Sequence, residues 1–583
     1  MFAPYRCGEL SVSVTDASGT RPAAPGTVAI VTAPRTGTIS VPRTTGTASA
    51  RTRFRGIASS VGLAVVRTPE LTIGAFGVLV SAAFAWVPSL WYDEAATVTS
   101  AQRSWAQLWA ELHNVDAVHG LYYALMHVWF WLVGYTPFTL RFPSALAVGV
   151  AAGLVVALGR RLGGLRLGVT AGLVFLALPR VQWAGTEGRP YATITTLAVC
   201  LTLVGLTAVR RTRTGRSLRW WIAYGALAFV AVTFNVYLSL AVVSHGVALV
   251  WTALARRAEV RRATASRTAP APGPALVTRG TIVRWAVASG IAAVVVSPIA
   301  VEVASQSKQV AWISGIGRRT VSQVFATAWF GGVGLYAAVA WTLMVLGVVV
   351  ALVAVHRRSA TVRSIVRAQA VRVVLPLVVL PTAALVTATA LGKHLYSPKY
   401  ASLSLPFVAL LIALALTLVR PKALLAAVVA AALVLSVPTA AAVKQPRAKQ
   451  DSTWAKASSI IAAERRNNRA DADEGVVFGS VYGHPGTTAD IIRVSYPAAF
   501  AGMTDLGARK VGAETGVLWN QNGDLATTIP SRLGDIDTVW FVGGTVKARN
   551  IQPETTSVLA EHGFTVREHW KTGRVVITEY VRR

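Results

Sequence analysis

Long apolar runs separated by short basic loops occupy the middle of the chain. Most of the runs approach the roughly 20 residues that a helix needs to cross a bilayer. The runs lie at about 70–90, 138–158, 166–180, 191–209, 219–234, 236–255, 282–301, 330–355, 372–391, 400–419 and 422–442. The pattern therefore predicts a polytopic α-helical membrane protein with about 11 transmembrane helices between residues 69 and 443.

The two ends of the chain differ from this middle part. Residues 1–68 are rich in Ala, Thr, Ser, Arg, Gly and Pro, which predicts a disordered, basic cytoplasmic tail. Apolar density falls again after residue 443, and 15 of the 25 carboxylates lie there. Residues 444–583 are therefore predicted to form a soluble α/β domain. Its expected helices and strands are 453–466, 476–482, 538–542, 554–562, 564–570 and 574–581.

Composition and charge agree with a membrane protein. Apolar residues make up 53% of the chain and charged residues only 14%, which excludes an ordinary soluble enzyme. The 57 Lys and Arg give a net charge of +32. These basic residues fall mostly in the tail and in short loops, so the charge is a topology signal and does not indicate nucleic-acid binding.

The topology depends on the apolar stretch 120–134, which is short for a full crossing. If it does not cross, the five basic loops all lie on the cytoplasmic side and carry 22 Lys and Arg against one carboxylate, Glu259. We therefore predict an interfacial helix for this stretch. The first loop, residues 91–137, and the C-terminal domain are then extracytoplasmic, and the protein is a multi-pass protein of the plasma membrane.

Polar residues that could take part in catalysis or binding cluster on that predicted extracytoplasmic face. Asp93 and Glu94 follow the first span, His119 lies in the same loop, and Glu187 and Arg189 lie in a short later loop. Simpler interpretations exist, because Asp93 suits a helix N-terminus and Glu187 could pair locally with Arg189. Likewise, Arg141 could extend to lipid headgroups from the end of its span.

The order of these elements resembles a known superfamily. An acidic motif follows the first span, then come a juxtamembrane helix, the element His119-Gly120-Leu121-Tyr122-Tyr123, and a span that starts Leu140-Arg141-Phe142-Pro143. Over about 70–210 the chain looks like the GT-C superfamily of glycosyltransferases. The resemblance is to the branch with protein mannosyltransferases and aminoarabinose transferases, in its actinobacterial form.

The resemblance implies an inverting, lipid-phosphosugar-dependent enzyme. The donor would be a polyprenyl-phosphate sugar, mannose or arabinose, and the acceptor a cell-envelope glycan, glycolipid or protein. Asp93 would be the general base, with Glu94 as a supporting carboxylate or the alternative base. A neighbouring carboxylate and a partly dehydrated site are expected to raise the pKa of the base.

Binding residues complete the prediction. Cations and aromatic groups near the spans are expected to hold the lipid phosphate of the donor: Arg141, Arg189, Lys393, His394, Tyr396, Lys399 and Tyr400. Substrate binding is expected from His119, Tyr122, Glu187 and Tyr191. No residue is assigned as a metal ligand and no cofactor is assigned, although some relatives use a divalent cation.

Two other functions fit parts of the sequence. A lipid-linked sugar transporter or flippase would need ionisable residues inside the spans or repeated halves, and neither is evident. A glycan-binding membrane scaffold would not require so many spans or an acidic first loop. The C-terminal domain is expected to guide the acceptor, and some of its tryptophans could stack on sugar rings, although most are expected in the core: Trp454, Trp519, Trp540 and Trp570.

Overall fold

A computed structural model describes residues 67–265, 277–356, 361–467, 473–545 and 549–583. The predicted disordered tail lies almost wholly outside these described residues. The helices up to residue 442 are α1 (Pro69–Ala82), α2 (Tyr92–Ala101), α3 (Trp105–Asn114), α4 (Gly120–Val133), α5 (Pro137–Gly163), α6 (Leu165–Ala177), α7 (Pro179–Gly185), α8 (Tyr191–Thr212), α9 (Leu218–Phe234), α10 (Ser239–Ala265), α11 (Arg279–Ser305), α12 (Arg318–Ser322), α13 (Ala328–Phe330), α14 (Gly334–His356), α15 (Val362–Ala390), α16 (Leu405–Leu416) and α17 (Lys422–Ala442). Shorter helical turns cover Ala117–His119, Val236–Leu238, Ser307–Val310, Gln323–Thr327 and Pro398–Ser404.

Eight helical segments of the described part are long and apolar enough to cross a membrane. A ninth is the pair α6 and α7, which bends by 69° because Leu178, before Pro179, is extended. The other two predicted spans correspond to α1 and α9, with 14 and 17 residues. The chain is thus a multi-pass helical membrane protein, and each of the 11 predicted spans has a helical counterpart among the described residues. The eight segments are Pro137–Gly163, Tyr191–Thr212, Val236–Arg261, Arg279–Ser305, Gly334–Ala354, Arg363–Ala390, Pro398–Leu416 and Lys422–Ala442.

Helices α1 and α5 pack antiparallel, which settles the course of the chain between them. Glu70, at the start of α1, lies 3.1 Å from Arg160, at the end of α5. Arg141, near the start of α5, donates to the carbonyl of Ala85, just after α1. A Cβ on Gly149 would come within 2.6 Å of a carbonyl oxygen of α1, so glycine permits this close contact. Helix α4 therefore begins and ends at the same end of the helix bundle.

Basic residues of several loops meet at the other end of the bundle, which we call the basic end. The guanidinium groups of these residues donate hydrogen bonds to neighbouring loops and helix ends. Three donate to backbone carbonyls (Arg210 to Arg161, Arg166 to Arg420, Arg367 to Thr417), and Arg372 donates to the Glu259 carboxylate. The opposite end, where α2 and α3 lie, is called the site end.

The C-terminal domain is built on a mixed five-stranded sheet. Its elements are α18 (Trp454–Asn467), β1 (Glu474–Phe478), β2 (Ser480–Val481), β3 (His484–Thr488), α19 (Asp490–Ser495), β4 (Thr504–Asp505), β5 (Ala508–Lys510), α20 (Gly512–Thr515), β6 (Gln521–Asn522), α21 (Leu525–Leu533), β7 (Thr538–Gly544), α22 (Gln552–Glu561), β8 (Phe564–Thr572) and β9 (Val575–Arg582). The strand order is β4-β1-β7-β9-β8, with β1 parallel to β4 and β7 and the remaining pairs antiparallel. The helices and strands predicted there all have counterparts, and the additional elements are α19, α20, α21 and the short strands β3, β4, β5 and β6.

Both faces of this sheet are buried, because successive residues of a strand point to opposite sides. Val476 and Trp540 join the apolar core that continues into the helix bundle, while Val477 and Phe541 pack into a second cluster with residues of α21 and α22. Of the tryptophans expected to be available for sugar stacking, Trp540 is fully buried. The sheet therefore holds the domain firmly against the site end.

Candidate active site

Helix α2 carries both predicted catalytic carboxylates in its first turn. Trp91 precedes it in an extended conformation, and Asp93 and Glu94 follow within the helix. Consecutive residues of an α-helix point about 100° apart, so the two carboxylates face different neighbours. This divergence places them in two separate electrostatic environments.

Glu94 lies in a closed ion pair with Arg141. Both side chains are fully buried, and the guanidinium donates from Nε to Oε1 (2.7 Å) and from Nη2 to Oε2 (2.6 Å). The backbone N–H of Gly188 donates a third bond to Oε1 at 2.8 Å. Burial disfavours the charge, but Arg141 holds the pKa of Glu94 below its usual value. Both oxygens of Glu94 are thus already bonded to protein donors.

Arg141 does not match its predicted role in phosphate binding. Besides Glu94, its guanidinium donates to the carbonyls of Ala85 and Pro88, both at 2.8 Å. The side chain has no exposed surface. In this geometry the guanidinium is fully buried and all of its contacts are to protein groups, so it presents no exposed face to a lipid phosphate.

Asp93 pairs with Lys399 across the site end. Lys399 Nζ lies 2.7 Å from Asp93 Oδ2, and the two side chains keep 16% and 18% of their surface exposed. Lys399 also lies over the rings of Trp312 and Tyr400, at 5.1 and 5.9 Å from their centroids. In contrast to the Glu94 pair, a substrate can reach both charges.

The pKa of Asp93 shifts in the direction opposite to the expectation. Burial raises it, but the charges of Lys399 and Arg189 outweigh burial and hold the pKa below its usual value. The neighbouring Glu94 is neutralised by Arg141. Asp93 is therefore ionised at neutral pH and able to accept a proton, but it is a weaker base than predicted.

Arg189 lies at the centre of the site. It is buried, and its Nη1 donates to the backbone carbonyl of Asp93 (3.1 Å) and to the hydroxyl of Tyr123 (3.0 Å). Its Nη2 contacts His119 Nε2 at 3.0 Å. The Nε of Arg189 has no hydrogen-bond partner within the described part of the chain. Arg189 thus supports the Asp93 backbone and retains one buried donor.

A second carboxylate, Asp116, orients His119. Asp116 Oδ1 lies 2.9 Å from His119 Nδ1, and its Oδ2 accepts from Tyr123. Because arginine has only donors, His119 Nε2 accepts from Arg189 and Nδ1 carries the proton that is donated to Asp116. Burial and Arg189 lower the pKa of His119. His119 is therefore a neutral positioning residue for Arg189, and sequence reasoning missed Asp116 and Tyr123.

Glu187 is part of the scaffold and does not face a substrate. Its side chain is fully buried, Lys449 Nζ lies 2.8 Å from Oε1, and Trp91 Nε1 donates to Oε2 at 3.1 Å. Burial raises the pKa of Glu187 against the opposing charge of Lys449. The structure thus gives both Glu187 oxygens protein partners and leaves its predicted role in substrate binding a prediction. Glu187 was also not paired with Arg189, and no local signal pointed to Lys449.

The basic and aromatic residues predicted in the segment 393–400, before α16, have different surroundings. Lys393 is exposed and has no side-chain bond in the described residues, and His394 Nδ1 lies 2.6 Å from the carbonyl of Ile313. Tyr396 is buried, and its hydroxyl lacks a partner in the part of the chain that the structure describes. Tyr400 packs against Tyr237, with ring centroids 4.8 Å apart. Of the five residues predicted in this segment, Lys399 is the one that bonds directly to Asp93.

The remaining two predicted substrate-binding residues, Tyr122 and Tyr191, are buried among other aromatic side chains. Tyr122 is buried against Tyr123 and Phe234, with ring centroids 6.3 and 6.0 Å away. Tyr191 is also buried and packs on Trp183 at 5.2 Å. Both rings are therefore held in place by packing against neighbouring aromatic side chains.

The C-terminal domain is bonded to the helices that carry the site. Arg103, just after α2, donates to the carbonyls of Val517 (2.6 Å) and Leu518 (3.1 Å). The N–H of Leu90, just before α2, donates to Tyr496 Oη at 2.8 Å. Both ends of α2 are thus fixed to the domain. In the described ranges, no group of three or more His, Cys, Asp or Glu residues is arranged to hold a metal ion.

Comparisons with known proteins give only distant structural similarity. No protein-family model and no curated protein matches the chain. ArnT from Cupriavidus metallidurans, bound to undecaprenyl phosphate, is 14% identical over 87% of this chain and 97% of that chain, with a TM-score of 0.46. The Archaeoglobus fulgidus oligosaccharyltransferase, in complex with Zn and sulfate, is 13% identical over 88% and 73% of the two chains, with a TM-score of 0.40. Similarity at this level does not establish a function for this chain.

Proposed function

We propose that the chain is a GT-C-type glycosyltransferase of the plasma membrane. It transfers a sugar, mannose or arabinose, from a polyprenyl phosphate to a hydroxyl of a cell-envelope glycan, glycolipid or protein on the extracytoplasmic face. The observation that carries the proposal is the accessible Asp93–Lys399 pair, 2.7 Å long, at the site end of a membrane helix bundle. Arg189 lies directly behind it.

The proposed reaction is a single displacement, which inverts the anomeric carbon. The acceptor oxygen forms a bond to the anomeric carbon while the bond from that carbon to the phosphate oxygen breaks. The electron pair of the broken bond remains on the polyprenyl phosphate, and the acceptor proton passes to the Asp93 carboxylate. A phosphate is a good leaving group, so cations matter more here than a general acid.

Lys399 is proposed to serve both substrates in turn. Before the donor binds, its ammonium group neutralises Asp93. A phosphate carries more charge than one carboxylate and competes for this lysine. When Lys399 turns to the phosphate, Asp93 loses part of its counter-charge and its pKa rises. The base would therefore gain strength when the donor arrives.

Two buried donors are further candidates for binding the donor phosphate: one on Arg189, which bonds the Asp93 backbone, and one on Tyr396, which lies three residues before Lys399 in the chain. Arg189 Nε and the Tyr396 hydroxyl both lack partners within the described residues. A buried donor without a partner costs about 1–3 kcal/mol, and a bound phosphate oxygen would satisfy it. We therefore retain Arg189, Tyr396 and Lys399 as donor-binding residues and remove Arg141.

The test is a direct assay of donor cleavage. Purified full-length protein in lipid nanodiscs is incubated with a panel of polyprenyl-phosphate sugars and octyl glycosides as acceptors, and mass spectrometry follows the freed polyprenyl phosphate and the new glycoside. Nucleotide sugars serve as the control donors and should give no product. Vesicles that move a lipid-linked sugar across the bilayer without forming a glycosidic bond would contradict the proposal and favour a transporter.

A further inference from the structure

The β2–β3 hairpin of the C-terminal domain reaches the first turn of α2. The ring of His484 stacks on Tyr92, with centroids 3.7 Å apart and planes inclined by 6°. The Tyr92 hydroxyl accepts a bond from Trp519 Nε1 at 2.8 Å and contacts Thr487 Oγ1 at 3.3 Å. Tyr92 immediately precedes Asp93, so these contacts hold His484 beside the proposed base.

His484 differs from the other histidines of this domain. His562 Nδ1 bonds the carbonyl of Val558 in its own helix at 2.8 Å, and His569 Nδ1 bonds Thr578 at 2.9 Å. His484 is exposed, and its ring nitrogens have no hydrogen-bond partner among the described residues. Stacking thus fixes the ring and leaves both nitrogens available to a ligand.

The electrostatic setting indicates the class of ligand. The stack on Tyr92 shields one face of the otherwise exposed ring from water, and this partial burial lowers the pKa of His484, whereas the Asp93 charge raises it. A neutral imidazole presents one donor and one acceptor, which matches a hydroxyl group. An anionic ligand would be bound better by Lys399, which pairs with the Asp93 carboxylate, or by Arg189, which bonds the Asp93 backbone. The hairpin side therefore suits an uncharged, hydroxyl-rich molecule.

We infer that His484 binds the acceptor and holds a hydroxyl of an uncharged sugar ring next to Asp93. The inference rests on the proposed function, because it takes Asp93 to be the base. It assigns the two substrates to different sides of the first turn of α2. The donor phosphate lies toward Lys399, and the acceptor lies toward the β2–β3 hairpin. His484 positions the acceptor and does not take its proton.

Steady-state kinetics test this assignment with the full-length protein in nanodiscs. The donor is polyprenyl-phosphate mannose and the acceptor is octyl α-mannoside. His484→Ala is expected to raise the acceptor KM about tenfold, the cost of one hydrogen bond, while kcat and the donor KM stay near wild type. His484→Gln keeps a donor and an acceptor and should change the acceptor KM by no more than about threefold. His562→Ala is the matched control and should behave as wild type.

A second measurement does not depend on turnover. Saturation-transfer NMR with octyl α-mannoside and octyl arabinofuranoside should show binding to wild type and to His562→Ala, and a strongly reduced signal with His484→Ala. An equal signal in His484→Ala, or no signal from either glycoside with wild type, would overturn the inference. If wild type binds a glycoside but no donor of the panel is cleaved, the proposed function fails while the acceptor site stands.

Discussion

Asp93 and Glu94 are neighbours in the chain, but their surroundings are very different. Glu94 is completely buried and accepts three hydrogen bonds, two from Arg141 and one from Gly188. Asp93 is partly exposed, and one of its oxygens contacts one lysine. A carboxylate whose hydrogen bonds are all made by buried protein groups stabilises the fold. A partly exposed carboxylate that is paired with one lysine can exchange this partner for a substrate and accept a proton. Comparison of the two carboxylates therefore distinguishes a structural role from a proposed catalytic role.

The largest expected effect is that of Asp93→Asn on catalysis. The amide cannot accept the acceptor proton, so sugar transfer should fall by about 10²- to 10⁴-fold. The fold should be preserved, because the amide still fits beside Lys399. Release of polyprenyl phosphate measures the rate, and thermal unfolding in nanodiscs measures stability. Transfer at the wild-type rate would remove Asp93 as the base.

The next effect is that of Glu94→Gln on stability. This change leaves the Arg141 guanidinium buried without its counter-charge, which should lower the free energy of unfolding by about 3–5 kcal/mol. Thermal unfolding followed by size-exclusion chromatography reports the loss.

The matched control for this pair removes both charges. Glu94→Leu with Arg141→Met should regain only part of the lost stability, because the uncompensated charge is gone but the carbonyls of Ala85 and Pro88 and the N–H of Gly188 lose their partners. Equal instability of the single and double variants would show that the pair is not the cause.

Lys399→Met should change the pH dependence of transfer. Activity requires ionised Asp93, whose pKa Lys399 helps to hold below its usual value. Without the lysine the pKa rises, so the acid limb of the kcat/KM profile should move to higher pH, and the donor KM should also increase. Lys399→Arg keeps the charge and should leave the limb in place. An acid limb at the wild-type pH in Lys399→Met would contradict the coupling.

The smallest effect is expected for Glu187→Gln. The amide can still accept from Trp91, but Lys449 loses its counter-charge. Burial raises the pKa of Glu187, so this carboxylate is less fully ionised than Glu94 and its loss should cost less, about 1–3 kcal/mol. The expected result is faster proteolysis of the chain between α17 and α18 with little change in transfer per folded molecule. A large loss of transfer with unchanged proteolysis would instead place Glu187 in the substrate site, as the sequence predicts.

The candidate site was only partly predictable. Residue type and order pointed to Asp93, Arg189, His119 and Lys399, and the structure brings these four together. The buried pairing of Arg141 with Glu94 was not predictable, because the sequence does not show that the guanidinium turns inward. Lys449 is 262 residues from its partner Glu187, so no local pattern could have indicated that pair.

The sequence by itself determined the apolar helices, the basic loops between them, and the first and last helices and the longer strands of the C-terminal domain. These features follow from local hydrophobic patterns, which act over a few residues. Only the tertiary structure decided which charges are closed into buried pairs and which remain accessible. That choice depends on contacts between distant segments and on the 100° rotation between adjacent helical residues. Asp93 and Glu94, adjacent and similar in chemistry, therefore acquired different roles only when the chain folded.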